Sequence, residues 1–198
     1  FLGVVVPDQR KIAKQYCNDV ADKELATLLR DPIHEVRLTA VFMLVSKFDK
    51  AKSPEEQERF LKIYLNNLEG INNWDLVDSS AHQILGKWLA DKPRDILVEF
   101  AQSGHLWKQR IAMIATYHFI RQKDFDDALT IAALLQNHEH DLIHKAVGWM
   151  LREVGNRNRA VEQKFLKKHY KSMPRTMLRY AIEKFPKEER QAYLDGSI

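Results

Sequence analysis

Along most of this chain apolar residues recur three and four positions apart, the spacing that lines one face of a helix. Between Ile33 and Phe48, the residues Val36, Ala40, Phe42, Met43, Leu44 and Val45 spread around the axis, which predicts a largely buried helix. Ser53-Pro54-Glu55-Glu56 reads as a helix start. Ser53 can cap, Pro54 suits the first turn, and Glu56 occupies the capping-box position. Further helices are predicted over 7–16, 22–30, 74–89, 93–102, 106–122, 124–136, 142–153, 158–170, 174–185 and 187–193. Breakers separate them, among them Asp31-Pro32, Asn72-Asn73, Ser103-Gly104, Gly155-Asn156 and Met173-Pro174. No stretch alternates with period two for long enough to read as a strand, so the expected class is all-α.

The helices come in pairs with an internal period. Basic residues near the start of alternate helices stand at Arg110, Lys145 and Arg179, in steps of 35 and 34, and Arg37 lies about two steps before Arg110. A period of this size means helix pairs stacked so that each buries its neighbour's apolar face, a HEAT-like superhelical solenoid whose alternate helices line a concave wall. The whole chain, 1–198, reads as one such domain. One slot in the column carries an acid, Asp78, in the stretch Trp74-Asp75-Leu76-Val77-Asp78. A carboxylate on a surface built for phosphate weakens binding unless it does chemistry, such as stabilising a developing cation. The alternative is a helix-start acid answering the macrodipole or a neighbouring Arg, a role that suits first-turn Asp75 better than Asp78. From the residues alone both readings of Asp78 stand.

Composition narrows the setting. The chain has 198 residues, with 45% apolar and 29% charged, ordinary for a globular protein. Its 7 Gly and 6 Pro are too sparse for a sandwich or barrel. No apolar run approaches the roughly 20 residues that span a bilayer. The opening Phe1-Leu2-Gly3-Val4-Val5-Val6 is halted by Pro7, too short for a signal segment. A single cysteine, Cys17, excludes an internal disulfide and suits a reducing, cytoplasmic setting. The net charge of +4 is unevenly spread: residues 141–198 hold 13 Lys/Arg against 7 Asp/Glu, whereas 1–140 hold 18 against 20. A basic C-terminal part suits either a polyanion partner or a solvated helical surface.

At particular stretches the chain resembles a known family. These are Gly3-Val4-Val5-Val6-Pro7-Asp8-Gln9-Arg10-Lys11-Ile12-Ala13, Asn73-Trp74-Asp75-Leu76-Val77-Asp78, Leu106-Trp107-Lys108-Gln109-Arg110-Ile111-Ala112, Lys145 to Glu153 around Trp149, and Met173 to Lys184. In order and spacing they resemble the DNA alkylation repair glycosylases built from HEAT-like repeats, the AlkD-type family. The resemblance implies a monofunctional glycosylase that releases positively charged bases such as 3-methyladenine and 7-methylguanine from double-stranded DNA. It implies that Trp74, Asp78 and Trp149 lie beside the lesion and that Arg110 assists by contacting the backbone. Arg152 follows as a further DNA contact, with Arg37, Lys145, Arg175 and Arg179 adding to the phosphate-binding surface. Two departures stand out. The family's basic doublet after the Trp is Gln109-Arg110 here, and the family's first helical unit lies before the Gly-Val segment with which this chain opens.

The chemistry of these residue types agrees with the resemblance. Residues four apart share one face of a helix, so Trp74 and Asp78 are separated by one turn. N3- or N7-alkylation gives the purine a formal positive charge, so the base leaves without a strong general acid. What remains is to stabilise an oxocarbenium-like sugar and direct a water to its anomeric carbon, which one carboxylate can do. Indole faces attract a cationic lesion by roughly 0.5–2 kcal/mol. The competing reading of a Trp in a helical repeat is core or inter-repeat packing, which is assigned here to Trp88 and Trp107. His138, His140 and His144 lack a Cys partner and a third ligand and read as solvated loop residues rather than a metal site. Cys17 has no His partner for a nucleophilic role, and neither a P-loop nor a dinucleotide fingerprint is present. The expectation is therefore a cofactor-free, monomeric DNA glycosylase with no membrane partner. The alternative is a non-catalytic repeat module that binds DNA structure or a protein.

Overall fold

The computed structural model describes residues 1–198 and contains only helices and their connections. The chain divides into two compact units, residues 1–92 and 93–198. No helix is long and apolar enough to cross a membrane.

The first unit holds α1 (Val6–Tyr16), α2 (Asp22–Leu28), α3 (His34–Lys50), α4 (Pro54–Leu65) and α5 (Trp74–Asp78). The expected start of α4 forms: the Ser53 side chain accepts the Glu56 N–H, with Pro54 in the first turn. Helix α3 is the hub, packed by α1, α2, α4 and α5. It can serve so because apolar side chains surround most of it, and Leu38, Val41, Leu44 and Phe48 are buried there. The opening segment is tied down by Glu35, whose carboxylate accepts the N–H groups of Leu2 at 2.8 Å and Gly3 at 3.0 Å.

The helix expected over 74–89 forms only in part. Helix α5 stops at Asp78, a turn follows, and His82–Gly86 winds as a π-helix before Leu89–Asp91 tightens to a 3-10 turn. Ser80 is the cause. Its hydroxyl donates back to the Leu76 carbonyl at 2.7 Å, a bond that competes with the helical ladder and bends it. The Gly86 N–H then reaches the Ala81 carbonyl, five residues back.

The second unit holds α6 (Asp95–Gln102), α7 (Leu106–Ala115), α8 (Tyr117–Ile120), α9 (Asp126–Leu135), α10 (Asp141–Gly155), α11 (Arg159–His169), α12 (Arg175–Ala181) and α13 (Lys187–Asp195). Helices α7, α10 and α12 pack side by side as one layer. Helices α6, α9 and α11 back them, and α13 joins α11 through Glu189, which accepts from Gln163 and pairs with Arg159. Ile111 to Ala115, Ile143, Val147, Met150, Met177 and Leu178 form the core between layers. The helix expected over 106–122 breaks at Thr116, whose buried hydroxyl donates to the Met113 carbonyl at 2.7 Å. These stacked helix pairs are the helical-repeat architecture that the 35-residue step predicts. The column residues Asp78, Arg110, Lys145 and Arg179 each stand at the fifth position of their helix, and Arg37 at the fourth.

Candidate functional site

Helix α5 begins where Asn73 accepts the Trp74 N–H at 2.7 Å. Buried Leu76 and Val77 anchor its inner face, which turns Trp74 and Asp78 outward together. The Trp74 side chain is 53% exposed, unusual for so large an apolar surface, whereas Asp78 is half-buried. Asp75 is the helix-start acid: one oxygen accepts the Leu76 N–H at 2.8 Å and the other meets His34 Nε2 at 2.7 Å. Asp78 is thereby relieved of that duty. Beneath it lies a pair absent from the sequence reading, Tyr64 and Ser80, both fully buried with their hydroxyls 3.1 Å apart. Burial drives the Tyr64 pKa far above its ordinary value, the nearby Asp78 charge pushes the same way, and the Ser80 hydrogen bond opposes both. The phenol therefore stays neutral, and Asp78 stands over a fixed polar floor. The hint in the sequence was a serine four residues after Leu76.

In the second unit Arg110 of the basic column, and Arg152 beside it, join one repeat to the next. Arg110 is 4% exposed and donates to the Leu142 carbonyl at the start of α10. Gln109, where the family has a base, is buried as well. Its amide donates to the Ala101 carbonyl at 3.2 Å and its oxygen meets His138 Nε2 at 3.0 Å. A second cation here would be desolvated beside Arg110, which is a physical reason for the neutral amide. Lys145 pairs with Asp141 at 2.6 Å, a bond that raises the lysine pKa and lowers that of the acid. Arg152 pairs with Glu183. Arg175 donates to the Leu194 carbonyl at 2.8 Å but remains exposed, as does Arg179.

Trp149 is half-buried on α10. Its Nε1–H donates to Glu153 at 3.3 Å, and its ring lies 6.2 Å from that of Tyr117 at a tilt of 40°. Arg157 holds Glu153 at 2.7 Å and sits 5.5 Å over the Tyr117 ring. Next to Trp149, Gly148 lets α12 approach: a Cβ there would lie 2.4 Å from the Met177 carbonyl oxygen and 2.5 Å from the Tyr180 Cβ.

Arg37, in the first unit, was expected to contact DNA. In the structure it donates to the carbonyls of Asp31 at 2.7 Å and Pro32 at 3.1 Å and to Asn72 at 3.2 Å, because its helix abuts the next repeat's entry loop. Trp88 and Trp107 are half-buried, with the Lys92 ammonium 4.1 Å from the Trp88 ring. The three histidines are more than solvated loop residues. His140 Nδ1 accepts the Leu142 N–H at 3.1 Å, His138 Nδ1 accepts the His140 N–H at 2.9 Å, and His144 bonds the His138 carbonyl. Burial, then the charges of His140 and His144, hold the His138 pKa below its ordinary value. Cys17 is fully buried, with Lys50 Nζ and Ser46 Oγ each 3.8 Å from its sulfur.

The chain matches the family model of the DNA alkylation repair enzyme over residues 1–185. No curated protein matches it. Among solved structures, one described as a predicted DNA alkylation repair enzyme from Enterococcus faecalis shares its fold with a TM-score of 0.75. The two are 19% identical, and the match covers 94% of this chain and 89% of that one. By its match over nearly the whole chain, this protein belongs to the family of DNA alkylation repair enzymes.

Proposed function

We propose that the chain is a monofunctional DNA N-glycosylase that hydrolyses the glycosidic bond of positively charged alkylated purines, 3-methyladenine and 7-methylguanine, in duplex DNA. The observation that carries this reading is on α5. An exposed indole and a half-buried carboxylate one turn apart share one helix face, while the neighbouring acid Asp75 already serves the helix start. The charged purine takes the bonding electron pair as C1′–N breaks, so it leaves neutral and needs neither metal nor cofactor. Asp78 stabilises the oxocarbenium-like sugar and aligns the water whose oxygen adds to C1′. The water's proton passes through the carboxylate to solvent. Trp74 offers its face to the sugar and the cationic base.

Trp149 has the corresponding role in the second unit, held by Glu153 and Tyr117. Arg175, Arg179 and Lys145 contact phosphate, Arg152 does so in exchange with Glu183, and buried Arg110 adds positive potential from beneath. A monomer suffices for one lesion.

The test is base release from duplex DNA carrying 7-methylguanine, comparing the parent with Asp78→Asn. The variant should lose excision by about 100-fold or more while binding DNA equally or more tightly, because a negative charge near phosphate is gone. Full excision by Asp78→Asn overturns the mechanism. Binding without release by the parent assigns the chain to non-catalytic DNA recognition.

A further inference from the structure

Some surface cations of this protein have an acid at hand on their own helix. Lys11 pairs with Asp8, Lys62 with Glu58, Lys145 with Asp141 and Arg157 with Glu153, each within one turn of its own helix. Helix α11, with the turn after it, gathers four that have none, side by side. Lys164, Lys167, Lys168 and Lys171 are all exposed, and none has a carboxylate within ion-pair distance. Their spacing of three, four and seven residues makes a single stripe along α11 and into the turn after it. It also sets like charges four apart twice, Lys164 with Lys168 and Lys167 with Lys171, which costs a few tenths of a kcal/mol each. Lysines in a last turn answer the helix dipole, which accounts for Lys167 and Lys168. It does not account for Lys164, a full turn earlier, nor for four exposed lysines gathered on one stripe.

The stripe borders open grooves on both sides. One is lined by Ala160 and Gln163 with Lys164, Lys167 and Lys168, and the other, of about 500 Å³, runs between α9 and α11. In the second groove the facing wall is Leu129, Thr130 and Ala133, with Asp126 the one acid that lines it. His169 is not a further cation there. It stacks on Phe165 at 4.3 Å, and burial, then the Lys168 charge, lowers its pKa.

We propose that the α11 stripe is a second, sequence-independent binding surface for the phosphodiester backbone of duplex DNA, separate from the helices that carry Asp78 and Trp149. Charge and length both fit. Seven residues of helix rise about 10 Å, and one DNA strand presents a phosphate every 3.4 Å or so of axis, so the stripe spans about three phosphates of one strand. Such a surface keeps the protein on undamaged DNA, or grips a neighbouring segment, without reading bases.

The test uses the full chain and a short, undamaged, fluorescently labelled duplex, so excision plays no part and failure of the glycosylase reading leaves the result intact. Binding is titrated by anisotropy over a range of NaCl. Two variants of equal charge change are compared: Lys164→Gln/Lys167→Gln/Lys168→Gln/Lys171→Gln, and a control set, Lys14→Gln/Lys23→Gln/Lys52→Gln/Lys62→Gln, drawn from the first unit. The stripe variant should make the slope of log K against log[NaCl] shallower by about 2–3 and weaken low-salt binding at least tenfold. The control should change the slope by less than about one. Equal effects from the two sets, or unchanged binding by the stripe variant, overturn the proposal. A measurement on the unaltered chain stands beside it: acetylation of lysines with and without duplex, read by mass spectrometry. Protection of Lys164, Lys167, Lys168 and Lys171 is expected, and full reactivity of all four in the presence of DNA refutes the surface, an acidic protein then being the partner to try.

Discussion

Helices α5 and α10 carry the two tryptophans of the candidate site and are built in opposite ways. Helix α5 has five residues, a large exposed side chain at its start and a distorted π-turn after it. Helix α10 has 15 residues, seven of them buried, with Trp149 fixed by Glu153 and Tyr117 and with α12 pressed against Gly148. One presents an indole and a carboxylate near a surface on a short helix. The other is part of the frame, and its tryptophan is packed within it. Substitutions on the two helices should therefore be felt in different measurements.

The largest loss of stability should come from Trp149→Ala, about 2–3 kcal/mol, read as a fall in the urea midpoint. Parent-like unfolding would mean that the ring is not packed as described. Gly148→Ala should follow at about 1–3 kcal/mol, because the new Cβ meets backbone at Met177 that cannot swing away. Thermal unfolding reads it, and an unchanged midpoint would show that α10 and α12 are further apart.

Glu162 extends the contrast through pH. It is 1% exposed, its carboxyl lies where a Cβ on Gly155 would be, and burial, despite Arg159, pushes its pKa from 4.5 up to about 8. Between those values the folded chain holds a proton that the unfolded chain has released. The parent should thus lose stability as pH rises from 4.5 to about 8. Glu162→Gln should flatten that slope and gain about 1–2 kcal/mol at pH 9. Equal slopes in the two proteins, from urea melts at several pH values, would place the carboxyl in water. The smallest effect on stability belongs to α5. Trp74→Ala should change it by less than about 0.5 kcal/mol while lowering base release severalfold. A large loss of stability with normal release would reverse the comparison and make Trp74 the packing residue.

Much of the fold was legible because it is local. Apolar spacing, Ser53-Pro54 and the loop dipeptides located nearly every helix, and the 35-residue step located the stacking. The exceptions, at Ser80 and Thr116, are hydroxyls that bond back to a carbonyl of the preceding turn, a choice that the residue type permits in any helix but rarely exercises. Of the candidate site, Trp74 and Asp78 were legible as a pair because four residues of helix make one turn, and Asp75 because first-turn acids answer the dipole.

The roles of the bases were not legible, for a physical reason. Arg37 to Asn72, Arg110 to Leu142, Arg152 to Glu183 and Arg159 to Glu189 are bonds across 30 to 35 residues, from one repeat to the next. Nothing in the local sequence distinguishes an arginine with such a partner from one facing solvent. The same holds for Glu162, an ordinary surface residue by type that the tertiary packing buries. Sequence alone determined the helices, their pairing and the α5 motif, since those depend on neighbours within a turn. Which arginines remain available at the surface was decided only when the repeats stacked, because several of them, Arg37, Arg110, Arg152 and Arg159 among them, are answered by a residue one repeat away.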